Sequence, residues 1–400
     1  MYSKEYYKKE FNKNLEKIEE KIKDKFNLNY HISPITGWLN DPNGLCQVDN
    51  TYHIYYQADP LNVNRKNIIW GHVTTKDFIN YNYHEPFIFA DSMLDKNGAY
   101  SGSAFIKNGK INFFYTGNVK YSGNYDYINE GRDHNTIKVV SKDGFNFDRK
   151  ELILNHDDYP KNLTRHVRDP KIYQEDGMYY LFLGARSKDD HGRVLVYKSE
   201  DLCNFSFHME ITTESNFGYM WECPDFFDID GQKFLMICPQ GLESEEYKYQ
   251  NTYQSGYFPI NIDFNEKTYT LGEFCELDYG FDFYAPQTFE DEKERRILFG
   301  WMGMPDANYT NPTTKNNWQH ALTLPREIKV IDNKFSQKPV DELKALRKAK
   351  IETIIDEEYQ IDSFEFTANQ IDEEFEIYLR NDAKVYYKDK TLILKLGHCG

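Results

Sequence analysis

The sequence contains few cysteines, and their spacing is uninformative. Its 400 residues include six of them, at positions 46, 203, 223, 238, 275 and 399. None has C-x-x-C spacing, so the sequence predicts neither a disulfide framework nor a cysteine-based metal site. No cluster of His, Cys and Asp has the spacing of metal ligands, and we expect no metal and no other cofactor. Free thiols are typical of a reducing compartment, which predicts a cytoplasmic protein.

Basic charge and long hydrophobic runs are also scarce. The chain carries 48 Lys and Arg against 64 Asp and Glu, a formal net charge of −16, which disfavours nucleic acid as a partner. No apolar run approaches the roughly 20 residues needed to span a bilayer, so we expect no membrane partner. The N-terminal residues lack the apolar core of a signal peptide. Whether the chain forms a homo-oligomer is left open by these features.

Aromatic residues, in contrast, are abundant and favour an all-β fold. Phe, Trp and Tyr make up 16% of the chain, which is typical of β-strands. The exception is the segment 1–28, where apolar residues recur every three or four positions and predict an N-terminal amphipathic helix. The apolar stripe could pack on the rest of the protein or on a partner. It comprises Tyr7, Phe11, Leu15, Ile18, Ile22 and Phe26.

Residues 29–339 contain a fivefold repeat. The strand-like apolar runs are YHIYYQ (52–57), INFFYTG (111–117), MYYLFLGA (178–185), KFLMICPQG (233–241) and RRILFGWM (295–302). The polar motifs that precede them are NDPNGL (40–45), YSGSAF (100–105), RDPKIY (168–173), ECPDFF (222–227) and FYAPQTF (283–289). A period of about 60 residues with several strands in each repeat predicts a five-bladed β-propeller.

Three carboxylates occupy these polar motifs. The innermost strands of a propeller line a central channel, so we expect Asp41, Asp169 and Glu222 to occupy equivalent positions and point into one pocket. Taken alone, Asp41 and Asp169 would more often be ordinary turn residues. Carboxylates in a small pocket raise one another's pKa. Cleavage of a glycosidic bond needs one protonated and one ionised carboxyl group, and such a pocket supplies both.

The neighbours of each carboxylate suggest its role. Arg168 should keep the adjacent Asp169 ionised, which makes Asp169 the poorest candidate for the acid. Glu222 lies between an aromatic residue and a cysteine, in less polar company, and is the best candidate for the acid. Asp41 is left as the nucleophile.

Other residues of the motifs suit a sugar. Aromatic rings can cover the apolar faces of a sugar, while amides, hydroxyls and a guanidinium can hydrogen-bond its hydroxyl groups. The aromatic candidates are Trp38, Tyr100, Tyr284 and Trp301. The polar candidates are Asn40, Gln57, Ser101, Arg168 and Gln287.

Several long motifs make the sequence resemble a known family. They are HISPITGWLNDPNGL, YSGSA, RDPK, MWECPD, PQG, YGFDFYAPQTF and LTLPRE. They resemble the motifs of the invertase and sucrose-6-phosphate hydrolase family, which is glycoside hydrolase family 32, and the resemblance runs from about residue 30 to residue 339. It implies a five-bladed propeller and retaining cleavage of β-fructofuranosides.

The resemblance also implies roles for individual residues. It places the nucleophile on Asp41, the transition-state stabiliser on Asp169 and the acid/base on Glu222, in agreement with the argument from neighbours. It further implies fructose contacts from Asn40, Gln57, Tyr100, Ser101 and Arg168, with pocket contributions from Tyr284 and Trp301.

Two features depart from the family pattern. Arg65 stands where many members have tryptophan, and Tyr100 stands where phenylalanine is common, so the pocket wall differs. Residues 340–400 alternate as strands do and are expected to begin the C-terminal β-sandwich of the family. We expect that sandwich to be incomplete, through truncation or because assembly completes it.

The sequence therefore predicts a glycoside hydrolase, specifically a retaining β-fructofuranosidase that releases fructose from a small sugar, either sucrose or sucrose 6-phosphate. Arg65 and Lys66 at the rim could meet a phosphate or remain solvated. An exo-acting hydrolase of fructans such as inulin or levan is an alternative within the class. A non-catalytic sugar-binding propeller is the alternative from another class.

Overall fold

The computed structural model describes residues 2–16, 18–352, 356–361, 363–367, 374–379 and 382–397. The chain is mostly β within these ranges, which confirms the predicted class. It divides into two compact units, Met1–Arg347 and Lys348–Gly400. No helix in the described ranges is both long enough and apolar enough to cross a membrane.

The N-terminal segment has two described helices where the sequence predicted one. Helix α1 spans Lys4–Leu15 and α2 spans Ile18–Ile22. Tyr7 is buried and packs against Phe89, with ring centroids 5.8 Å apart. Ile22, further along the predicted apolar stripe, is 61% exposed. The stripe is therefore buried most fully near its beginning.

The first unit contains five antiparallel sheets among its described residues, each built almost entirely from strands that follow one another in the chain. The first sheet contains β1 (Gly37–Val48), β2 (Thr51–Asp59), β3 (Ile69–Thr75) and β4 (Asn82–His84). The second contains β5 (Ala99–Lys107), β6 (Lys110–Lys120), β7 (Arg132–Ser141) and β8 (Glu151–Leu154). The third contains β9 (Leu163–Glu175), β10 (Met178–Ser187), β11 (Gly192–Ser199) and β12 (Ser206–Ile211).

The last two sheets have one additional short strand each. The fourth contains β13 (Met220–Ile229), β14 (Gln232–Gln240), β15 (Gly256–Asp263), β16 (Thr268–Leu271) and β17 (Cys275–Glu276). The fifth contains β18 (Phe283–Glu290), β19 (Arg296–Met302), β21 (Ala321–Leu322), β22 (Arg326–Ile331) and β23 (Lys334–Pro339). Strand β20 (Trp318–Gln319) pairs in parallel with β1, so residues from the end of the repeat complete the first sheet.

The first strands of the five sheets contact one another in a closed ring. Strand β1 contacts β5, β5 contacts β9, β9 contacts β13, β13 contacts β18, and β18 returns to β1. Hydrophobic clusters fill the spaces between neighbouring sheets. One of them joins Trp70 of the first sheet to Phe113 of the second, and another joins Phe299 of the fifth sheet to Ile54 of the first. Because the second strand of each sheet lies inside this packing, it appears in the sequence as a continuous apolar run.

Short elements and the second unit complete the described structure. The 3₁₀ helices are His156–Asp158, Pro312–Asn316 and Asp341–Leu346. The second unit contains a three-stranded antiparallel sheet of β24 (Phe375–Leu379), β25 (Ala383–Lys388) and β26 (Thr391–Lys395). Residues 368–373, for which the sequence also predicted strand structure, lie outside the described residues, as does Cys399.

Candidate active site

Every strand of the inner ring carries a β-bulge at its polar motif. In β1 the register with β2 shifts between Leu39 and Pro42, so that two residues oppose one. The same irregularity occurs in each of the other four strands, where it lies within residues 99–102, 168–171, 222–225 and 284–287. A bulge bends a strand and redirects its side chains. The five motifs therefore turn toward one another at the centre of the ring.

The bulges also define which positions are equivalent, and here one prediction was wrong. Asp41 is the second of the two residues in its bulge, whereas Asp169 is the first of the two in its own, as Cys223 is in β13. Glu222 is the last paired residue before its bulge, the position that Leu39 holds in β1. Asp169 and Cys223 have positive φ angles of 63° and 49°, an unusual conformation for residues other than glycine. This local backbone twist, which the sequence pattern does not reveal, sets the direction of the neighbouring side chains.

Asp41 is held by three uncharged donors. Asn40 Nδ2 donates to Asp41 Oδ1 at 2.9 Å, and Gln57 Nε2 donates to Oδ2 at 3.0 Å. Ser101 Oγ also donates to Oδ2. Asn40 is itself fixed, because its Oδ1 accepts from Trp38 Nε1 at 2.8 Å. The structure thus brings the predicted residues Asn40, Gln57 and Ser101 together around Asp41.

The surroundings of Asp41 affect its protonation. Burial raises the pKa of this carboxyl group, and the negative charge of Glu222 raises it further. The positive charge of Arg65 and the hydrogen bonds from Ser101 and Asn40 act in the opposite direction. The influence of Glu222 shows that the two carboxyl groups, 181 positions apart in the sequence, lie in one electrostatic environment.

Glu222 is held by a different kind of donor. Arg168 donates to Glu222 Oε1 from Nε at 2.9 Å and from Nη2 at 2.6 Å. Gln240 Nε2 donates to Oε2 at 2.6 Å, and the hydroxyl of Tyr284 donates to the same oxygen at 2.5 Å. The expectation that Glu222 lies in less polar company is therefore wrong. Sequence reasoning missed Gln240, although it belongs to the PQG motif at the end of the paired strand β14.

Asp169 lies next to this group. Its Oδ2 accepts from the backbone N–H of Cys223 at 2.9 Å and lies 3.9 Å from Arg168 Nε. Burial raises the pKa of Asp169, and the charges of Glu222 and Asp41 raise it further, against the opposing effect of Arg168. Arg168 was expected to keep Asp169 ionised, but its guanidinium makes its short contacts with Glu222 and burial raises the pKa of Asp169 overall.

Arg168 is thus the cation shared by two acidic side chains. Burial alone would lower the pKa of its guanidinium, but the carboxylates of Glu222 and Asp169 raise it overall. On its other side, Arg168 Nη1 lies 2.7 Å from His166 Nδ1. His166 lies two positions before the first residue of the RDP motif and was not singled out in the sequence. Its contact with an active-site cation is visible only in three dimensions.

The predicted aromatic residues differ in their exposure. Trp38 and Tyr100 are half-buried, whereas Tyr284 and Trp301 are buried. Trp301 lies behind Trp38, with ring centroids 5.8 Å apart, and is 0% exposed. Trp38 and Tyr100 are therefore the more accessible rings, and the buried Trp301 packs against Trp38.

Gln287 has a different role from the predicted one. Its Nε2 donates to the backbone carbonyl of Gly102 at 2.9 Å, and its Oε1 accepts from the backbone N–H of Leu45 at 3.3 Å. Both ends of the amide therefore join neighbouring strands of the ring. Gln287 positions the inner strands, and its amide groups are occupied by backbone atoms.

A small cavity lies between the five bulges. Residues of every inner strand line it, including Pro42, Gly102, Pro170, Pro224 and Pro286. Ser101 and Asp169 also border the cavity, which places it directly beside the acidic groups. In the described part of the chain, no three His, Cys, Asp or Glu side chains are grouped so that they could hold a metal ion.

Comparisons with known proteins agree with this geometry. Residues 31–339 match the model of the glycosyl hydrolases family 32 N-terminal domain. The chain is 41% identical over 327 residues to the sucrose-6-phosphate hydrolase of Bacillus subtilis (strain 168), covering 80% of this chain and 66% of that protein. It is 40% identical over 323 residues to the sucrose-6-phosphate hydrolase of Staphylococcus xylosus, covering 80% of this chain and 64% of that one. The chain thus spans about two thirds of the length of these relatives.

Two solved structures are also similar to this chain over most of its length. The sucrose-6-phosphate hydrolase from Lactobacillus gasseri superimposes with a TM-score of 0.76 at 30% identity, covering 87% of this chain and 71% of that one. A GH32 beta-fructofuranosidase of Bombyx mori superimposes with a TM-score of 0.77 at 30% identity, covering 88% and 73% of the two chains. The resemblance inferred from the sequence motifs is confirmed, and the chain belongs to glycoside hydrolase family 32.

Proposed function

We propose that this protein is a retaining β-fructofuranosidase that hydrolyses sucrose or sucrose 6-phosphate. Asp41 acts as the nucleophile, Glu222 as the acid/base and Asp169 as the stabiliser of the transition state. The observation that carries this proposal is the pair of carboxylates held by separate sets of donors. Asp41 is bound by neutral groups alone, whereas Glu222 is bound by a guanidinium, an amide and a phenol.

In the first step Asp41 attacks C2 of the fructosyl group while Glu222 protonates the departing oxygen. Asp41 Oδ1 accepts one hydrogen bond and Oδ2 accepts two, so Oδ1 is the less engaged oxygen and the better placed to attack. Arg168 Nη2 and Nε lie 2.6 Å from Glu222 and 3.9 Å from Asp169, respectively. A proton on Glu222 therefore leaves the guanidinium paired with the negative charge of Asp169.

In the second step Glu222 acts as a base. It removes a proton from water, which attacks C2 and releases fructose from Asp41. Two successive inversions retain the configuration at C2. The donors from Arg168, Gln240 and Tyr284 suit the anionic form of Glu222 that this step requires. Asp169, on a neighbouring inner strand, bears the negative charge that complements the oxocarbenium-like transition state.

The relatives support the choice of substrate. Those at about 40% identity are sucrose-6-phosphate hydrolases, and a variant of the Bombyx mori beta-fructofuranosidase has been solved in complex with sucrose. Hydrolysis of fructans has weaker support, because the structural neighbour that is a fructan exohydrolase is 21% identical and indicates the fold alone.

We also propose how the chain is divided into domains. The closed ring of first strands and the clusters between sheets support a five-bladed propeller over 29–339, with an N-terminal helical segment over 1–28. The three-stranded sheet of the second unit supports the start of a β-sandwich within 340–400. The cytoplasmic location predicted from the cysteines stays a prediction, as do the oligomeric state and the lack of a cofactor.

Release of fructose from sucrose, sucrose 6-phosphate and inulin by the full chain tests the function. We expect hydrolysis of the two sucrose substrates at rates well above that of inulin. Proton NMR of the first sugar anomer formed should show retained configuration at C2. Binding of these sugars without any fructose release would overturn the proposal and favour a non-catalytic sugar-binding protein. Inverted configuration would overturn the two-step mechanism.

A further inference from the structure

A row of cationic and aromatic side chains borders the candidate active site. The guanidinium of Arg65 lies over the ring of Tyr100, 5.7 Å from its centroid. Tyr100 is followed by His134 at 5.9 Å and His134 by His166 at 5.6 Å between ring centroids. Arg132 Nη1 then lies 3.1 Å from His166 Nε2. We call these residues the arginine arc: Arg65, Tyr100, Arg132, His134 and His166.

The arc joins the surroundings of the two catalytic carboxylates. At one end Arg65 Nη2 lies 3.4 Å from Gln57 Oε1, and Gln57 binds Asp41. At the other end His166 contacts Arg168, which binds Glu222. The arc therefore runs along the wall between the nucleophile and the acid/base. Because Glu222 protonates the departing oxygen, the leaving group begins beside this wall.

Arg132 makes no ion pair with a described carboxylate, whereas the positive charge of Arg65 acts on Asp41 and lowers the pKa of that carboxyl group. Asp133, next to Arg132 in the sequence, is instead paired with Arg165 at 2.7 Å. Arg168, in contrast, is paired with Glu222. Burial lowers the pKa of Arg132, and the nearby positive charges of Arg168 and Arg65 lower it further. A cation with no carboxylate partner, Arg132, beside a second cation that Asp41 compensates only in part, favours an anionic ligand on this partly buried wall.

The tautomer of His166 sharpens this conclusion. Burial lowers the pKa of His166 to about 2, with a further effect from Arg168 and Arg132, so the ring is neutral and carries one N–H. Nδ1 faces the donor Nη1 of Arg168 at 2.7 Å and must accept. Nε2 therefore carries the proton, which it donates to the carbonyl of Tyr127 at 3.1 Å. Arg132 Nη1 therefore faces the N–H of His166 and has no hydrogen-bond acceptor at that position.

Further polar atoms in the arc are buried without a partner. The Nε of Arg132 makes no hydrogen bond in the described structure, and neither ring nitrogen of His134 does. Buried polar atoms are nearly always hydrogen-bonded. A ligand that brings several acceptor oxygens and negative charge would satisfy Arg132, and one N–H of a neutral His134 could contribute.

We propose that Arg132 and Arg65 form a subsite for the phosphate group of a phosphorylated leaving-group sugar. This inference rests on the proposed function, and it assigns the preference for a phosphate ester over the neutral sugar to these two residues. A phosphate monoester carries nearly two negative charges at neutral pH and three strong acceptor oxygens, which matches the paired donors of a guanidinium. Sequence reasoning identified Arg65 as a rim residue but missed Arg132.

The test compares kcat/KM for sucrose 6-phosphate and sucrose in the full chain. We expect the wild type to prefer the phosphate ester. Arg132→Gln and Arg65→Gln should each lower the ratio of the two kcat/KM values by about tenfold or more, the effect of a charge-assisted hydrogen bond. Arg132→Lys should keep part of the preference. Arg165→Gln, which removes a cation already paired with Asp133, is the matched control and should leave the ratio unchanged.

A binding measurement separates this inference from the function on which it rests. Calorimetric titration with inorganic phosphate should show binding to the wild type and at least about tenfold weaker binding to Arg132→Gln. If the wild type hydrolyses neither sugar, the proposed function is wrong. If it hydrolyses both without preference, or if the ratio and phosphate binding survive in Arg132→Gln, the phosphate subsite is wrong. Should Arg132→Gln fail to fold, Arg65→Gln decides by the same criteria.

Discussion

Asp41 and Glu222 share one electrostatic environment but differ in the groups that hold them. Asp41 accepts from two side-chain amides and a serine hydroxyl, all of them neutral. Glu222 accepts two hydrogen bonds from the guanidinium of Arg168, together with an amide and a phenol. Neutral donors orient a carboxylate without neutralising it, whereas a guanidinium compensates its charge directly.

This difference matches two chemical tasks. A guanidinium bound directly to the nucleophile would stabilise its carboxylate before the attack more than in the transition state, and so would oppose the reaction. An acid/base changes charge in each half of a two-step hydrolysis. Arg168 can pair with Glu222 when that carboxylate is charged, and with Asp169 when Glu222 is protonated. The comparison therefore predicts that changes around Asp41 affect every substrate alike, while changes around Glu222 depend on the leaving group.

The largest effect is expected at the nucleophile. Asp41→Asn replaces an attacking carboxylate oxygen with an amide and should lower kcat/KM by at least about 10³-fold for every substrate. Initial rates of fructose release measure this. Asp148→Asn, which changes an exposed carboxylate in the same way, is the matched control and should behave as the wild type. Activity of Asp41→Asn within tenfold of the wild type would rule out the assigned role.

A large but selective effect is expected at the acid/base. Glu222→Gln should lower kcat/KM for sucrose by about 10²–10⁴-fold, because the leaving group is no longer protonated. An activated aryl β-fructofuranoside needs little protonation and should lose far less. Azide, which needs no base to attack, should restore turnover of that substrate. Glu200→Gln at an exposed position is the control, and equal losses on both substrates would remove Glu222 from the acid role.

Removal of a hydrogen-bond donor to Asp41 or to Glu222 should lower kcat/KM less than loss of the carboxylate itself, with the same difference between the two substrates. Ser101→Ala removes a donor to Asp41, and Tyr284→Phe removes a donor to Glu222. Each should reduce kcat/KM for sucrose by about tenfold, as expected for hydrogen bonds to charged groups. On the aryl fructoside Ser101→Ala should lose as much as on sucrose, whereas Tyr284→Phe should lose less. The reverse order would contradict the proposed division of roles.

The smallest expected effect concerns stability. Burial raises the pKa of Asp169 in the folded protein to about 7, so between about pH 4 and that value the folded state keeps a proton that the unfolded chain has released. The contribution of this group to stability is fully present below about pH 4 and is lost as pH rises through the folded pKa. Asp169→Asn should therefore raise Tm by a few degrees at pH 7 and by less near pH 4. A lower Tm for the variant at pH 7 would contradict this.

Part of the site could be predicted from the sequence because it depends on repetition. The five motifs recur at a constant period, and each precedes an apolar run, so their meeting at the centre of a ring follows from strand pairing alone. Asn40, Asp41, Gln57 and Ser101 do meet there, and their hydrogen bonds connect them directly. The family could likewise be identified, because its motifs are long and occur in a fixed order.

The contacts of the longer side chains could not be predicted in the same way. Arg168 precedes Asp169 in the chain, yet its guanidinium makes its short contacts with Glu222 of the neighbouring strand, beside a bulge that the sequence pattern does not reveal. Arg132 lies at the start of β7, outside the repeated motifs, and its position beside the site follows from packing between sheets. The sequence repeat predicts where each inner strand lies, whereas the direction of the side chains beside a bulge depends on the local backbone geometry.

The five bulges also have a consequence for how such a site changes over time. Each inner strand has a bulged position outside the regular pairing, and such positions hold Asp41, Ser101, Asp169, Cys223 and Ala285. Pairing on either side of a bulge uses backbone atoms and does not depend on which side chain occupies that position. A single substitution can therefore add or remove an acidic group at the centre while the sheets keep their register. The side chains at the centre of the ring can therefore change during evolution while the fold stays the same.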